Sequence, residues 1–198
     1  MNADRARKMG DRGGLMGFVD RLRYHEASRQ GIGLLLLLVC AWMAYPGTQK
    51  AIWGFVIAAL GEAFRVYAAG SIFKNKQLAS TGAYSLVRHP LYVGNILILG
   101  GFTLATGNPW TVLIVVAFFV FYYPAAIRYE DAKLHRLFGD DWVAWRERTW
   151  ALWPRRFSPS AIAAGQWSAR QSLIRNGELW ITIYLVACAA WLWVRAGG

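Results

Sequence analysis

Five apolar stretches set what this chain can fold into, because each is close to the length that crosses a bilayer. The first, residues 31–47, contains no charged residue and centres on residues 34–39. The others are about 51–69, interrupted by Glu62 and Arg65, then 91–106, 110–127 and 179–194. A transmembrane helix needs about 20 apolar residues, with a lower limit near 17. Backbone polar groups in hydrocarbon must also bond within their own segment, which selects helices over loops. The expectation is an all-α integral membrane protein of about five transmembrane helices. Residues 1–30 form a basic N-terminal segment and residues 31–198 the membrane domain. A signal peptide is a poor account of the first stretch: the basic run before it is too long, and no A-x-A cleavage site follows.

Composition agrees. Hydrophobic residues make up 56% of the 198 residues and charged residues 17%, against about 25% charged in an ordinary soluble domain. Disorder is excluded by an aromatic content of 15%. Cys40 and Cys188 both lie in apolar runs. They read as small buried hydrophobes, and two cysteines make neither a disulfide framework nor a cysteine-rich zinc site.

The net charge of +11 invites a nucleic-acid reading, but its distribution argues for a membrane. With the N-terminus inside, the cytoplasmic segments are 1–30, 70–90 and 128–178, and they hold 19 of the 22 Lys and Arg residues. That is the positive-inside pattern, and it favours anionic lipid as a neighbour. Leu15, Phe18, Val19 and Leu22 further suggest a short amphipathic helix on the membrane surface. The outer links are short, so any chemistry belongs on the cytoplasmic face. No internal repeat of the transporter kind is present.

Four constellations carry polar groups to the membrane edge. The first is Gly82-Ala-Tyr84-Ser-Leu-Val-Arg88-His89-Pro90-Leu-Tyr92-Val-Gly94-Asn95. Pro90 suits the first position of a helix, whose free N–H groups favour a negative group nearby. Gly94 permits close approach of a flat ligand to the backbone. The second is Arg128-Tyr129-Glu130-Asp131, where two carboxylates at the edge of hydrocarbon are expensive unless paired or functional. They suit an ammonium, a ribose diol or a transferred proton, or a local pair with Arg128. The third is Glu62 and Arg65, three residues apart on one helical face, either a structural pair or part of a site. The fourth, Asn176 and Glu178, reads as a helix start at the interface. After the second constellation, Leu134, Leu137, Phe138, Trp142 and Trp145 recur at helical spacing, and Gly139 should bend or break that helix. The tryptophans read as a membrane-hugging face. Walker A, H-E-x-x-H, G-x-S-x-G and C-x-x-C motifs are absent, and His25, His89 and His135 are far apart. No metal site is expected.

Together these motifs resemble a known family. Gly82-x-Tyr84-x-x-x-Arg88-His89-Pro90-x-Tyr92-x-Gly94 is similar to the first signature block of the isoprenylcysteine carboxyl methyltransferase and phospholipid methyltransferase superfamily. Glu130-Asp131-x-x-Leu134-x-x-x-Phe138-Gly139-x-x-Trp142-x-x-Trp145 is similar to its second block, in the same order and separation. The sequence departs in Asp131, where the family has a second Glu, and in Trp142 and Trp145, where it has Tyr. The resemblance implies a membrane enzyme that uses S-adenosyl-L-methionine, in a pocket capped by the inner segment. Tyr84, Arg88, His89, Tyr92, Gly94, Asn95 and Glu130 then fall at cofactor-binding positions. Glu130, Arg128 and Asp131 are the candidate catalytic groups, and Glu62 and Arg65 the candidate substrate groups. The implied acceptor is a lipophilic, isoprenoid or lipid-like small molecule drawn from the membrane. Its acceptor atom stays open among thiol, carboxylate, amine and phenol. Two other classes compete with this reading: an NADPH-dependent membrane reductase of the sterol-reductase type, and a non-catalytic scaffold or transporter.

Overall fold

The computed structural model describes residues 26–45, 47–72 and 77–197. The surface helix expected at residues 15–22 lies outside them. Among the described residues six α-helices follow in chain order: α1 (Glu26–Trp42), α2 (Thr48–Gly70), α3 (Pro90–Thr106), α4 (Pro109–Arg148), α5 (Pro159–Ala163) and α6 (Glu178–Arg195). A 3-10 turn (Gly82–Ser85) precedes α3, and a π-helical turn (Arg170–Arg175) precedes α6. Among the described residues there is no strand, only an isolated parallel bridge between Val87 and Trp150. The protein is all-α and membrane-embedded.

Among the described residues, three helical stretches are long and apolar enough to cross a membrane: Gln49–Gly70, Pro109–Arg148 and Glu178–Arg195. Two shorter apolar helices, Arg29–Trp42 and Pro90–Thr106, stand beside them. The five expected stretches are therefore all helical, but two fall short of the full thickness. At 1.5 Å per residue, 17 residues reach about 25 Å of a core about 30 Å thick. Large side chains such as Trp53, Leu60, Leu113, Val120, Trp180 and Val194 point outward and are exposed, as lipid-facing residues must be.

Two boundaries differ from expectation. The first helix stops at Trp42, not at 47, because the link after it is tied to other helix ends: Tyr45 N–H donates to Thr106 O (2.8 Å) and Gly47 N–H to Ala196 O (2.9 Å). The fourth helix runs well past 127 to Arg148, broken at Gly139, whose φ of 49° is left-handed. That position suits glycine, which has no Cβ to clash there.

The chain reverses between α3 and α4 in two residues. Gly107 ends α3 with φ 62°, and the Asn108 side chain accepts from Trp110 N–H (3.0 Å) ahead of Pro109. Proline at a first helical position gives up an N–H that would be orphaned anyway.

Helices α2 and α3 approach closely along a seam of small residues. A Cβ at Gly61 would sit 2.7 Å from Leu97 Cβ and 2.8 Å from Gly94 O, and one at Gly101 would sit 2.7 Å from Ala58 N. Small residues at such spacing let backbones touch in lipid, where packing replaces the hydrophobic effect as the driving force. The main core lies among α1, α3, α4 and α6, around Leu37, Phe102, Phe118, Tyr122 and Leu192. At the other end of α2, side chains close the last carbonyls: Ser172 donates to Val66 O (2.7 Å), Asn176 to Ala69 O (2.7 Å) and Gln171 to Ile72 O (2.7 Å).

Candidate cofactor and acceptor site

The Arg88-His89 pair is placed by backbone before its side chains do anything. Arg88 N–H donates to Trp150 O (2.8 Å) and His89 N–H to Ala151 O (3.0 Å), so the segment leaving α4 runs beside the segment entering α3. His89 caps α3 at Pro90. From there α3 presents one face at intervals of three or four: His89, Tyr92, Asn95, then Ile98 and Leu99. All five line a single cavity of about 530 Å³, inside the usual range for small-molecule sites.

The polar end of this cavity is a chain of charges. The Arg88 guanidinium grips Asp131 through Nη2–Oδ2 (3.0 Å) and Nε–Oδ1 (3.3 Å), and gives Nη1 to Thr149 O (2.6 Å). His89 is almost fully buried, with Nε2 3.1 Å from Asp131 Oδ1 and Nδ1 3.5 Å from Glu130 Oε2. The Tyr92 hydroxyl donates to Glu130 Oε1, and its ring stacks on His89 at 5.4 Å between centroids. Arg29, from the start of α1, reaches Glu130 Oε1 at 3.5 Å and lies over the Tyr92 ring at 5.0 Å.

Helix α4 outlasts the bilayer. About 20 residues from Pro109 span its core, which leaves Glu130 and Asp131 at the membrane edge. Burial pushes the His89 imidazole down, but its bonds to Asp131 and Glu130 and their charges reverse this, and the net shift is upward. For Glu130 and Asp131 burial pushes up, and the bonds from His89, Tyr92 and Arg88 hold both below the usual carboxylate range. The raised imidazole stabilises the fold fully below its unfolded value, about 6.5, and that contribution is lost as pH rises through the folded value. The lowered carboxylates contribute fully above about 4 and lose it as pH falls through their folded values. Thermal stability should therefore peak between about pH 4 and 6.5. A melting series against pH checks this: the alkaline decline should flatten in His89→Asn, and an unchanged decline would rule the cluster out as its source.

A second polar group crosses the cavity further along α3. Arg65 donates through Nη2 to Glu178 Oε1 (2.8 Å) and Oε2 (3.0 Å), through Nε to Oε2 (3.2 Å), and through Nη1 to Asn95 Oδ1. Glu62 Oε2 is 3.6 Å from Arg65 Nε, and its Oε1 accepts from Thr182 Oγ1 (2.5 Å). Beyond these groups the cavity is apolar, walled by Leu34, Leu37, Ile98, Leu99, Phe118, Ile181 and Leu185.

Of the residues singled out in the sequence, Tyr84, Arg88, His89, Tyr92, Asn95, Glu130 and Arg65 line this cavity. Asp131 stands behind, holding Arg88 and His89. Gly94 faces α2: a Cβ there would collide with Arg65 Cγ and lie 2.8 Å from Gly61 O. Its small size serves helix packing, not ligand approach. Arg128 is exposed on α4 and does not border the cavity, and Glu62 meets it only through Arg65. Trp142 and Trp145 do not lie on the membrane surface. Both are buried against Ala68, Ala83 and Tyr84, and Trp145 Nε1 donates to Tyr84 O (3.0 Å). Leu134, Phe138 and Trp145 close the polar end of the cavity.

Glu178 and Arg29 escaped sequence reasoning. Glu178 looked like an interfacial helix start, and Arg29 was one basic residue among many. An acid opening a span was the only available signal, and it named no partner. Among the described residues no cluster of three or more His, Cys, Asp or Glu is placed to hold a metal ion.

The motif residues thus line one cavity, charged at one end and apolar at the other, inside a helical membrane domain. The phospholipid methyltransferase family model matches residues 30–141, more than half of the chain, and the chain belongs to that family. It is 34% identical to the nickel-cobalt-cadmium resistance protein NccN of Alcaligenes xylosoxydans xylosoxydans, over 58% of this chain and 53% of that one. It is 39% identical to the cobalt-zinc-cadmium resistance protein CzcN of Cupriavidus metallidurans, over 41% of this chain and 38% of that one. The matched regions thus span about half or less of those relatives. No solved structure matches the chain.

Proposed function

We propose that this protein is a membrane methyltransferase that uses S-adenosyl-L-methionine and acts on a lipophilic acceptor at the cytoplasmic face. Family membership supports methyl transfer. One observation carries the rest: a single cavity joins a charged end, built by the two motifs, to an apolar end among the spanning helices. The residues fit the cofactor. Glu130 keeps its exposed side toward the cavity and suits the ammonium or ribose, while Lys133 suits the carboxylate. When bound, the cofactor supplies an electrophilic methyl group on sulfur.

The chain's own residues then have defined tasks. Asp131 fixes Arg88 and His89, and His89 and Tyr92 fix Glu130. The apolar wall aligns the acceptor and excludes water, which is most of what an in-line displacement needs. Residues 31–198 form the membrane methyltransferase domain in this reading. Residues 1–30 and the basic inner segments face the cytoplasm, as their charge asks.

Isothermal titration of the detergent-purified protein with S-adenosylhomocysteine tests the proposal. Saturable binding is expected, with NADPH giving none, and Glu130→Gln should weaken binding by about tenfold or more, the loss of a charge-assisted bond. Binding of NADPH alone would favour a membrane reductase. Binding of neither by the folded protein would favour a scaffold or transporter.

A further inference from the structure

The apolar half of the cavity ends on a charged pair that the motif residues do not use. Asn95 is six residues past His89, about 9 Å further along α3 at 1.5 Å per residue. Arg65, Asn95 and Glu178 therefore stand between the cofactor end and the apolar wall of Ile98, Leu99 and Leu185. Arg65 is the only cation at this level among the described lining residues. The others, Arg29, Arg88 and Lys133, lie at the charged end with Glu130.

All three nitrogens of the Arg65 guanidinium are engaged, two by Glu178 and one by Asn95. Glu178 is only 2% exposed and gives both oxygens to Arg65. The pair presents no net charge to the cavity. Glu62, which does not border the cavity, adds a second carboxylate 3.6 Å from Arg65 Nε, so the group offers an entering anion no free positive charge. An anionic head group entering here would meet the Glu178 carboxylate where it needs a free guanidinium. An ammonium would have to compete with Arg65 for the same oxygens. An uncharged hydroxyl or thiol needs neither, and the remaining lone pairs and N–H groups at the rim can receive it.

We infer that Glu178 masks Arg65 and so determines specificity: the acceptor subsite takes a lipophilic molecule with an uncharged head group and refuses an anionic one. The inference rests on the reading that the apolar half of the cavity holds the acceptor. Glu178 comes from α6, outside the segment that the family model matches, so this selectivity is a property of this chain's last helix.

The test uses three ten-carbon isoprenoid probes, geraniol, geranylamine and geranate, at pH 8 in a neutral detergent. Dissociation constants are read by tryptophan fluorescence with and without saturating S-adenosylhomocysteine. Wild type should bind geraniol at least about tenfold more tightly than geranate or geranylamine. Glu178→Gln removes the carboxylate that faces the cavity, leaving Arg65 paired with Glu62 alone, and should tighten geranate by about tenfold while leaving geraniol within about threefold. Glu178→Asp, which keeps the pair but shortens its reach, should move geranate in the same direction by a smaller factor. It serves as the readout should Glu178→Gln not fold. The inference is overturned if wild type prefers geranate or geranylamine, or if the geraniol-to-geranate ratio is unchanged in the folded variants. Failure to bind S-adenosylhomocysteine would instead count against the methyltransferase reading, because probe selectivity is read without it as well.

Discussion

Asp131→Asn is expected to lower the melting temperature by roughly 10 °C, one of two comparable effects that follow from the buried charges. Asp131 accepts from Arg88 twice and lies 3.1 Å from His89 Nε2. Its side chain is only 17% exposed, and those of Arg88 and His89 are 10% and 3% exposed. Asparagine keeps the shape but removes the charge, which leaves a guanidinium and an imidazole buried without their shared anion. Breaking a buried pair from one side costs about 3–5 kcal/mol. In a chain of this size each kcal/mol shifts the midpoint by about 2–4 °C. Asp131→Glu, which matches the second acid of the resembled family motif, should retain most of the stability. A melting curve within about 2 °C of wild type for Asp131→Asn would mean that Arg88 is held by Thr149 and the backbone alone.

Arg65→Ala should be comparably damaging, and its partner shows why. Without Arg65, Glu178 is left as a carboxylate buried to 2% exposure, with Glu62 close by. The expected loss is again about 3–5 kcal/mol. The informative measurement is the full cycle with Glu178→Ala. The double variant should be no less stable than either single one, which gives a coupling of about 2 kcal/mol or more. Additive losses would show that Arg65 and Glu178 act on stability separately, through α2 and α6 packing, despite their contact.

These two clusters also mark how far the sequence could be read. Helices were legible where apolar length and punctuation agreed: Pro90 opens α3 and Gly139 breaks α4, each for a local backbone reason. The Arg88-His89 and Glu130-Asp131 motifs were visible because charges at a membrane edge are costly and so stand out. What joins them was not visible. The pairing of Val87 with Trp150 leaves no periodic trace, since only two N–H groups and two carbonyls are involved. The Arg65–Glu178 pair links positions 113 residues apart, and no local rule connects them. Trp142 and Trp145 misled for a related reason. An aromatic stripe at helical spacing fits a lipid surface and a protein groove equally well, and Ala68 and Ala83 decide between them only once the chain is folded.

The backbone pairing of residues 87–89 with residues 150–151 has a consequence for how the protein is made. When the Arg88-His89 segment leaves the ribosome, the carbonyls that will hold it do not yet exist. Trp150 follows about 60 residues later, and at 5–20 residues per second its synthesis takes about 3–12 s more. During that interval α3 and α4 can insert and turn on Gly107-Asn108, while the charged segment waits in the headgroup region with its N–H groups hydrated. Glu178 arrives later still, so Arg65 spends longer without its partner. The Arg65–Glu178 pair is therefore the last of these contacts the nascent chain can make, and the charged segments must stay soluble and unaggregated until it forms.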